Sequence, residues 1–280
     1  MAPNRFDRTS LWFVQEADHQ TTPSQLYHEN SKVGAYAARF TPTAADERAM
    51  EEFQKTVAGR YKRYDYAPKH PLPKPDPGVP RAALADVILQ RRSRRELLRA
   101  PVELTALSTL LTLGAGLNGE SHFSDGQPLP LRTYPSAGAL YPLELYPILL
   151  DTPGIARGVY HHDPHQSVLD QLTVLESRDV LKPLFQNEPM LESAGALLVI
   201  SAVLPRLRRK YGERAYRYAH LEAGHAAQNL VLLGTALGLS VVPVGGFVER
   251  GIEELIDADG VEEIALYSLF IGHPAPRATP

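Results

Sequence analysis

The sequence contains no cysteine among its 280 residues. That absence excludes disulfide scaffolds, thiolate nucleophiles, zinc ribbons and iron–sulfur clusters. Any redox chemistry must therefore use a bound cofactor. A large excess of one charge is also lacking, because 29 Lys and Arg stand against 32 Asp and Glu. We therefore expect no nucleic acid and no membrane among the partners of this chain.

Long apolar runs and the best-known nucleotide and hydrolase motifs are missing too. No stretch reaches the roughly 18 apolar residues that a membrane helix needs, and residues 1–10 carry charges in place of a signal-peptide core. The expected location is therefore cytoplasmic. The chain has no G-x-S-x-G elbow, no Walker A loop and no G-x-G-x-x-G fingerprint, so hydrolase, P-loop and classical Rossmann functions lack support.

The composition, 44% hydrophobic and 22% charged, is typical of a globular protein with a sizeable core. Prolines concentrate in residues 61–80, where they forbid both a continuous helix and a central strand. We predict an N-terminal arm with a proline-rich linker over residues 1–80, including a short helix at 44–58. Residues 81–280 are predicted to form one domain.

Apolar periodicity in residues 81–280 predicts helices and strands in mixed order. The predicted helices cover residues 83–99, 104–113 and 216–237. A strand is predicted at 143–150, and Pro147 within it favours a position at a sheet edge or a bulge. Further strands are predicted at 158–172 as a hairpin, and at 194–203, 239–244 and 264–271. The fold class is α+β, with a sheet flanked by helices.

Two segments have the composition of a ligand site. Residues 91–95 place four arginines beside Ser93, and guanidinium groups bind phosphate oxygens bidentately. A solvated basic helix end is the alternative, and the cluster alone is weak evidence. In residues 132–142, Pro135, Ser136 and Gly138 form a turn through which backbone N–H groups could approach a planar ring, although an ordinary turn has the same composition. Together the segments indicate a ligand with a phosphate and a ring.

Three ordered blocks carry a resemblance to a known family. RRSRREL at 91–97, RTYPSAGALYPLELY at 132–146 and KYGERAYRYAHLEAGHAAQNL at 210–230 closely resemble the SagB-type branch of the nitroreductase superfamily, and LYHENSK at 26–32 resembles its N-terminal element. The resemblance implies a nitroreductase-like fold with a central, mainly antiparallel sheet flanked by helices. It also implies a homodimer that binds FMN at the subunit interface.

The resemblance further implies a role for individual residues. The loop under the isoalloxazine ring usually comes from the partner subunit, and Ala139 and Tyr141 stand where many nitroreductases have polar residues, a departure that the SagB-type branch shares. A turn near flavin N5 and a C-terminal phosphate contact complete the implied site. The implied FMN contacts are Arg91, Arg92, Ser93 and Arg95 for the phosphate and ribityl side, Pro135, Ser136, Gly138 and Ala139 for the ring loop, Gly245 and Gly246 for the N5 turn, and Arg277 for the C-terminal contact.

Lys210 and Tyr211 resemble the catalytic pair of the azoline dehydrogenases. Aromatising a thiazoline or oxazoline removes a proton and a hydride, and a lysine takes the proton only if its pKa lies well below about 10.4. Arg208 and Arg209 are neighbours that could lower it. Adjacent helical residues point about 100° apart, so we expect the pair on a loop or a helix start. A basic surface turn with a packed tyrosine is the alternative.

The histidines are set aside as metal ligands. His161 and His162 point to opposite faces of the predicted hairpin, which opposes convergent ligation with His165. His220 and His225 are five residues apart, a poor match to a zinc pair at i and i+4. No metal site is predicted.

These observations predict an FMN-dependent dehydrogenase that oxidises an azoline or related heterocycle in a peptide-derived natural product. The predicted partners are a second copy, with residues 216–237 as the dimer core, a peptide or peptide-like substrate, and a cyclodehydratase complex. One alternative is an NAD(P)H-dependent nitroreductase or quinone reductase. Another is a non-catalytic scaffold subunit of a biosynthetic complex. The exact substrate and the terminal electron acceptor stay open.

Overall fold

A computed structural model describes residues 22–33, 44–59, 61–78, 82–185 and 188–276. The chain divides into two compact units, residues 1–40 and 41–280. In the first unit the structure describes helix α1, Pro23–Asn30, which begins with a reciprocal capping box between Thr22 and Gln25. The other described residues, from 44 onward, all belong to the second unit.

Seven helices of the second unit are described. The longest, α7, has 23 residues, yet no helix in the described residues combines the length and hydropathy of a membrane span. Two further segments, Ala137–Ala139 and Arg178–Leu184, form 3-10 turns. The helices are α2 (Ala44–Gly59), α3 (Leu84–Gln90), α4 (Leu104–Ala115), α5 (Glu188–Ser193), α6 (Pro205–Tyr211), α7 (Arg214–Ala236) and α8 (Glu249–Leu255).

Ten strands in the described part of the chain form two sheets. The main sheet has eight antiparallel strands in the order β1-β7-β6-β5-β8-β10-β2, with β9 also paired to β10, and β3 and β4 form a separate hairpin. The predicted α+β class with a central antiparallel sheet is confirmed. The strands are β1 (Lys69–Pro71), β2 (Leu97–Leu98), β3 (Leu117–His122), β4 (Pro128–Arg132), β5 (Leu143–Leu149), β6 (Gly158–Asp163), β7 (Val168–Val174), β8 (Ala196–Val203), β9 (Ser240–Val244) and β10 (Glu263–Pro274).

Both faces of the main sheet are buried, and strand β8 shows how. Leu198 and Ile200 face one core with α4 and α7, whereas Leu197 and Val199 face a second core with α8. This alternation follows the two-residue period of a strand, and burial on both faces explains why β8 is a continuous apolar run. At about 25 cal/mol per Å² of buried apolar surface, these cores supply most of the favourable folding free energy.

The proline-rich segment, predicted as a linker, takes part in the sheet. Strand β1 pairs with β7 through Lys69 and Asp170, His70 and Leu169, and Pro71 and Val168. Strand β1 lies at the edge of the sheet and its proline, Pro71, is its last residue, so the missing N–H donor of Pro71 is tolerated. Helix α2 and this segment belong to the same compact unit as the main sheet.

Two local predictions were wrong. The helix expected over residues 83–99 ends at Gln90, and residues 91–96 are irregular before the short strand β2. Pro147, expected at an edge or a bulge, lies in a central strand and is paired with Leu198 of β8. On its other side the pairing with β6 covers only Ile148 and Leu149, so the missing N–H of Pro147 interrupts no ladder there.

Candidate active site

The predicted catalytic pair lies in the last turn of the short helix α6. Pro205 occupies the first turn, and Gly212, with φ of 53°, ends the helix just after Tyr211. The expectation of a loop or a helix start was therefore wrong. The two side chains are long, and their ends, Lys210 Nζ and Tyr211 Oη, still reach the same point.

That point is Gly138 in the loop that precedes β5. A Cβ placed on Gly138 would lie 2.7 Å from Tyr211 Oη and 2.8 Å from Lys210 Nζ. Lys210 Nζ also lies 5.5 Å from the centre of the Tyr211 ring, and that ring packs edge-on against Tyr218. The structure thus brings together two predicted groups, the ring loop and the catalytic pair, in a contact that a side chain at position 138 would displace.

The ring loop, residues 135–141, has an unusual backbone. Gly138, Ala139 and Tyr141 have φ values of 64°, 52° and 42°. Left-handed conformations at residues other than glycine cost about 1–3 kcal/mol each and persist only where neighbouring structure holds them. Such strain is common where a loop is shaped for a ligand.

Three hydrogen bonds hold this loop. Gln54 Nε2 of α2 donates to the carbonyl of Gly138 (2.8 Å), and Arg206 Nη1 of α6 donates to the carbonyl of Tyr141 (3.1 Å). Inside the loop, the N–H of Tyr141 donates to Ser136 Oγ at 2.9 Å. The loop is therefore pinned from α2, from α6 and from within.

A fourth contact anchors the loop to α7 through a carboxyl group that sequence analysis missed. Ser136 Oγ donates to Glu222 Oε2 at 2.7 Å. Glu222 is 2% exposed, and this burial raises its pKa to about 8. The sequence did hold a signal, because Glu222 interrupts a helical stripe of small apolar residues that includes Ala215, Ala219 and Ala226.

Arg206 in turn belongs to a buried charge network, made of Arg206, Glu144, His161, Asp170 and Lys69. Its four contacts, in that order, measure 2.6, 2.9, 3.4 and 2.6 Å and cross from α6 over β5, β6 and β7 to β1. Burial lowers the pKa of His161, but the hydrogen bonds from its ring nitrogens to the carboxylates of Asp170 and Glu144 raise the pKa by more, so the net direction is upward. The network anchors Arg206 beneath the ring loop.

The histidines of β6 are buried inside the protein. His161 lies between two carboxylates, whereas burial and then Arg132 lower the pKa of His162 to about 3 and keep it neutral. No cluster of three or more potential metal-binding side chains occurs in the described part of the chain.

The arginine loop, residues 91–95, lies in a different part of the unit. Arg92 Nη1 donates to the carbonyls of Leu89 and Arg91, at 2.9 and 2.7 Å, and Arg94 donates to the carbonyl of Ala275. The side chains of Arg91, Ser93 and Arg95 make no hydrogen bond or ion pair with any described residue. These are three of the four predicted FMN phosphate and ribityl contacts, and Arg92 is the fourth. An open groove of about 560 Å³ beside the loop is lined by Arg92 and Arg94.

The predicted N5 turn follows strand β9. Gly245 and Gly246 are exposed, and a Cβ on Gly245 would meet nothing within 4 Å, so the space above this backbone is open. At the other end of β9, Ser240 Oγ donates to the carbonyl of Arg94 at 2.7 Å, which ties the strand to the arginine loop. The predicted contact Arg277 lies outside the described residues.

Comparison with known proteins assigns the family. A sequence profile of the nitroreductase family matches residues 88–273, the range that holds the arginine loop, the ring loop and the Lys210–Tyr211 pair. The chain belongs to the nitroreductase family. Members of this family are FMN-dependent oxidoreductases.

Two curated relatives of this nitroreductase-family protein are informative. It is 36% identical over 180 residues to MJ1384 of Methanocaldococcus jannaschii, a protein designated a nitroreductase. This match covers 64% of this chain and 87% of MJ1384. It is 28% identical over 146 residues to the microcin B17-processing protein McbC of Escherichia coli. That match spans half of this chain (50%) and 54% of McbC.

Solved structures share the nitroreductase fold. A protein designated a nitroreductase from Anabaena variabilis superposes with a TM-score of 0.68 at 23% identity, over 92% of this chain and 48% of that one. A Ralstonia eutropha protein of the same designation gives 0.59 at 25% identity, over 78% and 95%. The E. coli microcin synthetase McbBCD complex with truncated pro-MccB17 gives 0.56 at 21% identity, over 92% and 96%.

Proposed function

We propose that this nitroreductase-family protein is an FMN-dependent dehydrogenase that oxidises an azoline ring in a peptide or peptide-like substrate. The proposal depends on one observation above all: Lys210 Nζ and Tyr211 Oη lie side by side against Gly138. The similarity to McbC, named for the processing of microcin B17, supports the same choice.

The residues present fit FMN. Arg91, Ser93 and Arg95 leave guanidinium and hydroxyl donors unused on an exposed loop, which suits a phosphate group. Open space above Gly245 suits the close approach of a flat ring to backbone. When bound, FMN supplies a hydride acceptor at N5.

Lys210 and Tyr211 would divide the remaining chemistry. Aromatisation requires a base for the proton on the ring carbon that bears the peptide carbonyl, and Lys210 Nζ is the candidate. Burial raises the pKa of the Tyr211 phenol, so its hydroxyl stays protonated and can donate a hydrogen bond to the substrate. Both side chains are half-buried, so they are partly screened from water while open on one side.

A homodimer is part of the proposal. Helix α3, next to the arginine loop, exposes Leu84, Ile88 and Leu89 at 64, 52 and 72%. Three large apolar side chains on one short helix indicate a surface that a partner covers, and a second copy is the natural partner. Much of the small-residue stripe of α7 is used inside the subunit, since Ala219, Ala223 and Ala226 are buried in the same core as α4.

The protein is further proposed to act beside a cyclodehydratase, because the superposed microcin synthetase is a complex with its peptide precursor. A reductase fed by NAD(P)H is the second candidate, and the 36% identity to MJ1384 favours it. Anaerobic mixing of the yellow protein separates the two. We expect an azoline peptide to bleach the flavin absorbance and NADPH to leave it unchanged. Bleaching by NADPH alone would contradict the dehydrogenase, and a chain that binds no FMN would contradict both.

A further inference from the structure

The buried stripe of α7 contains one ionisable side chain. Glu222 is 2% exposed and stands between Ala219 and Ala226 at helical spacing. A carboxyl group in such surroundings costs free energy unless its oxygens are hydrogen-bonded. Only half of that condition is met, because Oε1 is buried without a partner among the described residues.

The other oxygen connects α7 to the candidate catalytic pair through a short chain of contacts. Glu222 Oε2 accepts from Ser136 Oγ (2.7 Å), which itself accepts from the N–H of Tyr141 (2.9 Å). The bond between Ser136 and Tyr141 closes the ring loop around Gly138, and the bond between Ser136 and Glu222 joins the closed loop to α7. The opposite side of Gly138 contacts Lys210 and Tyr211.

We propose that Glu222 is a positioning residue of this site: through Ser136 it sets the place of the ring loop against Lys210 and Tyr211. This inference rests on the proposed function, because it concerns the same reaction. Its carboxyl group is neutral when the loop is in the position described. Ionisation would strengthen the hydrogen bond from Ser136 but leave a negative charge on Oε1, which is buried without a partner among the described residues. We expect α7 and the ring loop to separate so that water reaches this oxygen, and the loop then loses its position against Lys210 and Tyr211.

The surroundings of Glu222 support a neutral carboxyl group. Burial is the largest influence and raises the pKa to about 8. The groups that oppose it are the hydroxyl of Ser136, Arg132 on β4, the N–H of Ala137 and Arg206 on α6. Arg206 is already held by Glu144 at 2.6 Å, which limits its effect on Glu222.

The first test needs no flavin. Infrared spectra recorded on both sides of pH 8 should show a protonated carboxyl band that disappears as pH rises. The band should be absent in Glu222→Gln and present in Glu253→Gln, a matched control in which another buried helix glutamate, bonded to the N–H of Ala265, is changed. A band that persists in Glu222→Gln would overturn the proposal.

The second test uses the flavin-loaded enzyme. Wild-type turnover should decline above pH 8, whereas Glu222→Gln, which can still accept from Ser136, should keep its activity and lose that decline. Glu222→Ala and Ser136→Ala should each lower kcat, measured at saturating FMN, by up to about 100-fold. Their double variant should lose no more than either alone, since both act through one contact.

The outcomes separate this inference from the proposed function. Additive losses, or a pH decline retained in Glu222→Gln, would show that Glu222 does not act through the loop, while the dehydrogenase itself would stand. Absence of azoline turnover in the wild type would contradict the proposed function. In that case the infrared test alone decides whether Glu222 carries the proton.

Discussion

The ring loop and the arginine loop hold their side chains in opposite ways. The first has a strained backbone pinned by Gln54, Arg206 and Glu222, and its contact with Lys210 and Tyr211 exists in the protein alone. The second is exposed, and three of its side chains have no described partner. A reaction is faster when the reacting groups are held in place beforehand. A phosphate group, in contrast, can be bound by side chains that become ordered only on binding.

The largest expected effect comes from breaking the network that supports the rigid region. His161→Ala opens a cavity and removes the cation between Glu144 and Asp170, although Glu144 keeps its contact with Arg206 and Asp170 keeps its contact with Lys69. We therefore expect a loss of about 3 kcal/mol in the free energy of unfolding, the low end for breaking a buried charge pair. Urea unfolding measures it. His122→Ala on the exposed β3 strand is the control and should cost less than about 0.5 kcal/mol.

The same network predicts how stability depends on pH. The pKa of His161 is raised by folding, so its contribution is complete below its unfolded pKa of about 6.5 and is lost as pH rises through the higher folded value. The pKa of Glu144 is lowered, so its contribution is lost as the solution becomes acidic. The difference in stability between wild type and His161→Ala should therefore shrink at alkaline pH. An unchanged difference would contradict a charged His161.

The next effect is on catalysis. Gly138→Ala places a Cβ against Tyr211 Oη and Lys210 Nζ and displaces both groups, so kcat measured at saturating FMN should fall by about 100-fold or more. Gly119→Ala is a matched control, because its φ of 77° carries the same penalty but a Cβ there meets nothing within 4 Å. It should lower stability by about 1–2 kcal/mol and leave kcat unchanged. Equal kinetic losses in both variants would show that the contact with the pair is irrelevant.

The smallest effect sharpens the comparison at the arginine loop. Arg91→Ala should weaken FMN binding by about 10- to 100-fold, since a hydrogen bond to a charged group contributes about 1.5–3 kcal/mol. Arg92→Ala should weaken it less, because Arg92 Nη1 is engaged by the carbonyls of Leu89 and Arg91. Fluorescence titration measures both. A larger loss in Arg92→Ala would reverse the assignment.

Local patterns predicted much of the fold. The apolar run at 194–203 became β8, and the helical spacing at 216–237 became α7, because both elements are buried where periodicity is strongest. The helix at 83–99 was predicted too long, since arginine is a good helix former and nothing local marks the end at Gln90. Pro147 was misplaced because sheet order, which decides what a proline interrupts, is a property of the whole fold.

The candidate site was predictable only in part. Gly138, Lys210 and Tyr211 were identified from a resemblance, and their contact needed the structure. Gln54 lies 84 residues from its acceptor in the ring loop, and no local pattern links positions so far apart. Glu222 left a signal as a charge within an apolar stripe, but its partner Ser136 is 86 residues away.

The central claim is that Lys210, held against Gly138, removes the proton from an azoline substrate. The most direct measurement is a single anaerobic turnover in which an azoline peptide is mixed with FMN-loaded protein and flavin absorbance is followed. We expect Lys210→Ala to bind FMN as the wild type does and to bleach at least about 100-fold more slowly, the low end for loss of a general base. Lys74→Ala, at an exposed lysine, should match the wild type. Bleaching at the wild-type rate in Lys210→Ala would contradict the account.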